Sequence, residues 1–370
     1  MRSSFKSPTL SVLYRSFLNY PKFLGISLVY FKSFRRIFLI RYVTLLLCAF
    51  FILIQGCAGS SPGSSVGSIS ELLFPVEKNG QWGFMSRTGD LKIPFKYEGA
   101  VDFSDGRALV KKDGRWGYIN EFDILVITPE YQEAHKFSQG LARVKVDGRY
   151  GYINNVGKMV IEPQFEKAMP FSEGLAGVKI NGRWGYVNKE GKMVIEPRYE
   201  KAFNFSDGFG LVIVEGKGGY IKRNGRMFLE PEFDWAQGYS EGLASVEKDG
   251  QFVYLDRFGE VALETDFQAI RHFSNGASAF TKDGKQGFIN RRGVIIVQPE
   301  YDEVGNFSEG LASYREGSKW GFINKRGEVV IKPDYVTAVS FSGGLSIVEL
   351  GGGKWGYIDR KGRFVWKSSE

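Results

Sequence analysis

The chain is poor in the residues that most often do chemistry. Its 370 residues include two His and two Cys. So few His leave little for a His-rich metal centre or His-based catalysis. The Cys, Cys48 and Cys57, exclude a disulfide framework. Pro is scarce at 12, and the 47 Gly lack the every-third-residue period of collagen. No Gly-x-Ser-x-Gly, phosphate-binding loop or His-Glu-x-x-His stretch occurs. Helical periodicity is not evident after residue 70. Aromatic residues, in contrast, make up 15% of the chain, too many for a disordered polymer.

The net charge of +8 comes from one end. Residues 1–56 hold eight Lys and Arg and no acid, so 41 of the 49 basic residues remain to face 41 Asp and Glu. A neutral body lacks the broad basic footprint of a nucleic-acid-binding protein, and none is expected. Lys32, Arg35, Arg36 and Arg41 precede an uncharged run from Tyr42 to Ile54. Thirteen residues are short of the roughly 20 needed to span a bilayer, and suit the apolar core of a secretory signal. An uncleaved anchor over Ile37 to Ile54 is the other reading.

Ile54-Gln55-Gly56-Cys57 resembles the bacterial lipobox, with Gln55 bulkier than usual at its position. The resemblance implies that Cys57 is diacylated and becomes the mature N-terminus. Ala58 after it, rather than Asp, implies sorting to an outer membrane. The expected organisation is a leader and signal segment over 1–56, a Gly/Ser tether over 57–70 and a β-domain over 71–370. The expected location is an exported, lipid-anchored position on the bacterial envelope.

A repeat fills the remainder. Its marker position is occupied by Trp82, Trp116, Tyr150, Trp184, Gly218, Phe252, Gln286, Trp320 and Trp355, spaced 34 residues apart seven times and 35 once. Each unit reads as an antiparallel meander. A strand such as Leu141 to Val146 leads to Asp147-Gly148, whose residue types suit a type I′ turn. A second strand such as Trp184 to Asn188 follows, then a turn opened by Asn188 with Gly191 three residues on. A third strand is expected to end at Pro197, because Pro cannot donate to a ladder. A short last segment reaches a Phe-Ser-x-Gly corner. Apolar residues lie on both strand faces, so each unit is sandwiched between two neighbours.

The motifs at Trp82-Gly83, Trp116-Gly117, Tyr150-Gly151, Trp184-Gly185, Trp320-Gly321 and Trp355-Gly356 resemble the bacterial WG (KWG) repeat. That resemblance implies an all-β repeat domain and no particular activity. The hairpins are also similar, more weakly, to choline-type cell-wall-binding repeats. The expected fold is nine tandem antiparallel β-meander repeats forming an open β-superhelix or, nearly as well supported, a β-propeller-like ring. The open form is preferred because the ninth unit stops at Phe364-Val365-Trp366 and lacks its last segment.

The Trp-Gly residues are read as packing elements, not as a sugar-stacking surface. The acids of the Phe-Ser-x-Gly corners, Asp105, Glu173, Asp207, Glu241 and Glu309, are read as solvated turn positions rather than calcium ligands. His135 and His272 form no metal pattern. Units five to seven depart from the pattern: Gly218, Phe252 and Gln286 replace Trp, Val253 replaces Gly and Thr265 replaces Pro. A candidate binding patch is therefore placed at Trp235, Phe252, Tyr254 and His272. The expectation is a non-enzymatic envelope scaffold for a protein partner, with no cofactor and no metal. An envelope-glycan-binding module is the alternative, and an enzyme with a channel or groove site the third reading.

Overall fold

The protein is described by a computed structural model covering residues 72–368. These fall in one of the chain's two units, Leu46–Glu370. The signal segment, Cys57 and the tether lie outside the described residues.

No helix occurs among the described residues, which form nine antiparallel sheets in sequence order. The sheets are blades 1 to 9, over residues 74–97, 99–131, 133–165, 167–199, 201–233, 235–264, 269–301, 303–335 and 337–367. Blade 1 has three strands and every other blade has four. The expected hairpins are present. Asp147 and Gly148 sit at φ 48° and 80°, as a type I′ turn requires. At the next turn the Asn188 side chain accepts the Lys192 N–H at 2.8 Å, and Gly191 takes φ 80°.

Both faces of a strand are buried, each against a different neighbour. In Leu141–Val146, Ala142 and Val144 pack toward blade 2, while Leu141 packs with Phe171 and Val187 of blade 4. The Tyr of the Trp-Gly-Tyr strand reaches across as well. Tyr118, Tyr152, Tyr186 and Tyr220 each donate from the hydroxyl to a carbonyl 17 residues on, in the next blade, at 2.6–2.7 Å. A buried phenol needs such an acceptor. Its ring buries fully against the next corner, as Tyr118 does on Phe137, and each such side chain contributes roughly 1.5–3 kcal/mol.

The blades close into a ring, so the preferred open superhelix gives way to the propeller. Nine blades in an open row have eight interfaces, yet there are nine interfacial cores. The ninth joins Phe74, Val76 and Met85 of blade 1 to Leu345, Trp355 and Tyr357 of blade 9. Trp82 stacks on Trp355 at 6.1 Å, and the Tyr357 hydroxyl donates to Pro75 O at 3.0 Å.

The ninth unit lacks its last segment without leaving its blade short, because of the phase of the blades. The short last segment pairs forward with the following strand, as Lys201–Ser206 does with Phe209–Val214. Blade 9 is therefore complete, and the three-stranded blade is the first.

The corner acids are not merely solvated. Each x residue of Phe-Ser-x-Gly holds positive φ, and its side chain accepts the Gly N–H of the next corner: Glu173 from Gly208, Glu241 from Gly276, Glu309 from Gly344. The corner Ser bonds forward too, Ser138 Oγ donating to Phe171 O at 2.7 Å. Asn275 instead donates to Phe307 O, and at Gly343 the side chain of Leu72 fills the space. In a meander, alternate turns lie at opposite ends. Corners and Asn- or Asp-opened turns therefore share one end of the ring, and the type I′ turns occupy the other.

Candidate ligand cleft between blades 6 and 7

The Trp-Gly step is explained by what covers it. In seven blades the last strand does not stop at its Pro or equivalent, but bulges there and rejoins the ladder. Trp184 pairs with Tyr199 and Tyr186 with Ile195, so Gly185 alone opposes three residues. The expectation that Pro ends the strand is corrected: Pro197 sits inside the bulge, where a missing N–H does no harm. The bulged backbone folds onto the Gly. A Cβ on Gly151 would lie 2.5 Å from Ile161 O and 2.9 Å from Pro163 N, where no Cβ fits.

Blade 6 breaks this rule at both positions. Val253 carries the Cβ that the bulge cannot accept, and Thr265 stands where Pro is found. The fourth strand accordingly stays flat, pairs Val253 with Glu264, and ends there. Thr265 Oγ1 donates to Phe252 O at 2.6 Å, closing part of the exposed ladder. Phe267, whose counterpart Tyr199 pairs with Trp184, instead stacks on Phe280 of blade 7 at 4.0 Å.

The unzipped strand leaves a cleft of about 710 Å³, within the range of small-ligand and peptide pockets. One wall is residues 250–252 and 263–267; the other is Lys282, Ile289, Gly293 and Ile295 of blade 7. Phe252, Leu263, Phe267 and Ile295 supply the apolar part of a lining that is mixed, with Gln251, Glu264, Thr265, Asp266 and Lys282 making it more polar than apolar. On the rim, Lys282 pairs with Asp266 at 2.8 Å. Exposed Glu264 pairs with no cation among the described residues.

The four residues of the candidate patch are not one surface. Phe252 lines the cleft, and Trp235 packs on it edge-to-face at 5.7 Å. Tyr254 is fully buried, bonded to Ser278 Oγ at 2.8 Å. His272 lies away in blade 7, its Nε2 3.1 Å from Asn306 Nδ2 of blade 8. The sequence signal that found the region was the joint loss of Gly and Pro. Phe267, Lys282 and Ile289 were missed because only blade packing brings them to Phe252. Among the described residues no group of three or more His, Cys, Asp or Glu side chains is placed to hold a metal.

Titratable groups outside the cleft contribute to acid stability, His272 and Glu133 among them. Burial, then the Arg271 guanidinium, push His272 down to about 4. The unfolded chain binds that proton near the ordinary value of 6.5. Stability is therefore full above 6.5 and declines as pH falls towards 4. Glu133 is held down at about 2, chiefly by the His135 hydrogen bond and also by that of Tyr150. Its contribution is lost as pH falls from 4.5 through 2. Thermal melts from pH 7 to 4 should fall less steeply for His272→Asn than for the native chain. Equal slopes would count against this assignment.

Nine four-stranded or near-complete blades on one closed ring define a β-propeller built from tandem repeats. A sequence profile described as "WG containing repeat" matches residues 82–116, 116–150, 150–184, 184–217, 219–252, 254–285, 287–320 and 320–354, and the chain belongs to that family. Each matched segment straddles two blades, and the matches skip Gly218, Val253 and Gln286. A comparison with curated proteins found no match. Among solved structures, a eukaryotic initiation factor superposes with a TM-score of 0.58 at 9% identity, over 80% of this chain and 96% of that one. BamB from Moraxella catarrhalis gives a TM-score of 0.43 at 13% identity, over 71% and 91%. The first likeness is one of fold alone.

Proposed function

We propose that this protein is a non-enzymatic, lipid-anchored envelope scaffold whose cleft between blades 6 and 7 holds an extended segment of a protein partner. The observation that carries the reading is the cleft itself. It arises at the one blade where Gly and Pro of the motif are both replaced, so the departure has a structural product. The half-buried Phe252, Leu263 and Phe267 within its mixed lining suit one aliphatic or aromatic anchor flanked by polar groups. Glu264, without a partner on the rim, suits a neighbouring Lys or Arg. The recurring Trp-Gly residues support packing rather than sugar stacking, because Trp82, Trp116, Trp184 and Trp320 are half-buried, Trp355 is buried, and Trp82 stacks on Trp355. Cys57 would carry the acyl chains, with the outer membrane as the location.

The test is crosslinking on intact cells from a photoreactive residue at Phe252. A discrete protein adduct is expected, and it should vanish in the double variant Val253→Gly, Thr265→Pro, which restores the bulge and fills the cleft. Adducts with glycan alone would favour the wall-binding reading. An unchanged protein adduct in the double variant would sink the cleft. In the same cells Cys57→Ser should abolish incorporation of labelled palmitate; retained label would remove the lipid anchor.

A further inference from the structure

The corner end of the ring is not neutral. Each Asn- or Asp-opened turn there, like the equivalent turns opened by Ser86 in blade 1 and Lys222 in blade 5, presents two central residues. In blades 5 to 9 these are Arg223-Asn224, Arg257-Phe258, Arg291-Arg292, Lys325-Arg326 and Arg360-Lys361, all exposed. In blades 1 to 4 the same positions hold only Arg87 and Lys189, against Glu121 and Glu190. Arg326 is taken by Glu328, and Arg360 by Glu309. Arg223, Arg257, Arg291, Arg292, Lys325 and Lys361 have no ion pair among the described residues. The corners of this sector carry three carboxylates, Asp207, Glu241 and Glu309, the last paired with Arg360, while Asn275 and Gly343 carry no charge, so the unpaired tip cations outnumber the corner acids. A body whose charges cancel overall thus concentrates cations in one sector of one end.

Geometry adds a second point. Equivalent positions of a closed ring lie on one circle, so these turn tips face a common plane. Apolar tips stand among them: Phe258 is 81% exposed beside Arg257, and Val294 is 56% exposed two residues after Arg292.

We infer that this sector, blades 5 to 9, docks flat on an anionic phospholipid surface, with guanidinium and ammonium groups on headgroup phosphates and Phe258 in the interface. A planar cationic array with an aromatic tip fits a bilayer better than the curved track of a nucleic-acid backbone. The docking needs neither the acyl chains nor the cleft, and so goes beyond the function proposed above. The cleft rim at Gly250, Gln251 and Lys282 lies at the opposite end of the strands, while its blade 7 wall reaches Gly293 in the Arg291-Arg292 turn at the docking end.

The test uses a fragment of residues 71–370. It folds alone on the grounds that all nine interfaces form within the described residues. It is sedimented with phosphatidylcholine vesicles, with and without one quarter phosphatidylglycerol, at low and high salt. Binding to the anionic vesicles alone, weakened by salt, is expected. The variant Arg291→Gln, Arg292→Gln, Lys325→Gln, Lys361→Gln should lower the partition coefficient about fivefold for each cation removed. Phe258→Ser should lower it further while leaving the melting temperature unchanged. Val253→Gly with Thr265→Pro should bind vesicles as the native fragment does, which separates this inference from the cleft. No binding to anionic vesicles would overturn it, as would full binding by the quadruple variant. Salt-sensitive binding to duplex DNA without vesicle binding would replace the lipid with nucleic acid.

Discussion

Gly151→Val is expected to destabilise the ring by roughly 3 kcal/mol, the upper end of overpacking costs, because backbone rather than side chain must yield. The added Cβ would sit 2.5 Å from Ile161 O. The only relief is to straighten the bulge, which unpairs Tyr150 from Phe165 and withdraws Phe165 from the core shared with blade 4. Blade 6 shows what that relief looks like: a flat, shortened strand and a cleft. Hydrogen exchange over residues 150–165, beside denaturant titration, would read both effects. A variant as stable as the native chain, with unchanged protection, would remove the close-approach explanation of the motif.

Trp355→Ala is the second large effect, about 3–5 kcal/mol for truncating a buried Trp. Trp355 is 8% exposed, packed between Trp82 of blade 1 and Trp366 of its own blade at 6.1 and 4.7 Å. In a ring this substitution opens the seam, and blades 1 and 9 should lose exchange protection together. Trp82→Ala should reproduce the pattern from the other side. Loss confined to blade 9 would mean that the seam contributes little.

Much of this architecture is legible in the residues. Asn-Gly and Asp-Gly fix the type I′ turns, since few other pairs accept positive φ twice. The alternation in Leu141–Val146 puts apolar groups on both faces, which calls for two neighbours. The candidate site was half legible. The joint replacement by Val253 and Thr265 marked blade 6, and Phe252 does line the cleft. Tyr254 did not belong there, because its strand position turns it into the core of blade 7.

Sequence by itself determined the repeat, its strands, its turns and the place where the pattern breaks. These rest on local conformational preference and on periodicity, which adjacent residues carry. Tertiary structure alone decided three things. It set the phase of the blade, because a short segment such as Lys201–Ser206 can pair backward or forward, and only the next sheet offers it an edge. It decided closure, because the contact of Pro75 with Tyr357 joins residues 282 apart, and the accumulated rotation between blades is written in no single one of them. It also decided that losing a Gly and a Pro produces a cleft, because the wall supplied by Lys282, Ile289 and Ile295 comes from the neighbouring blade.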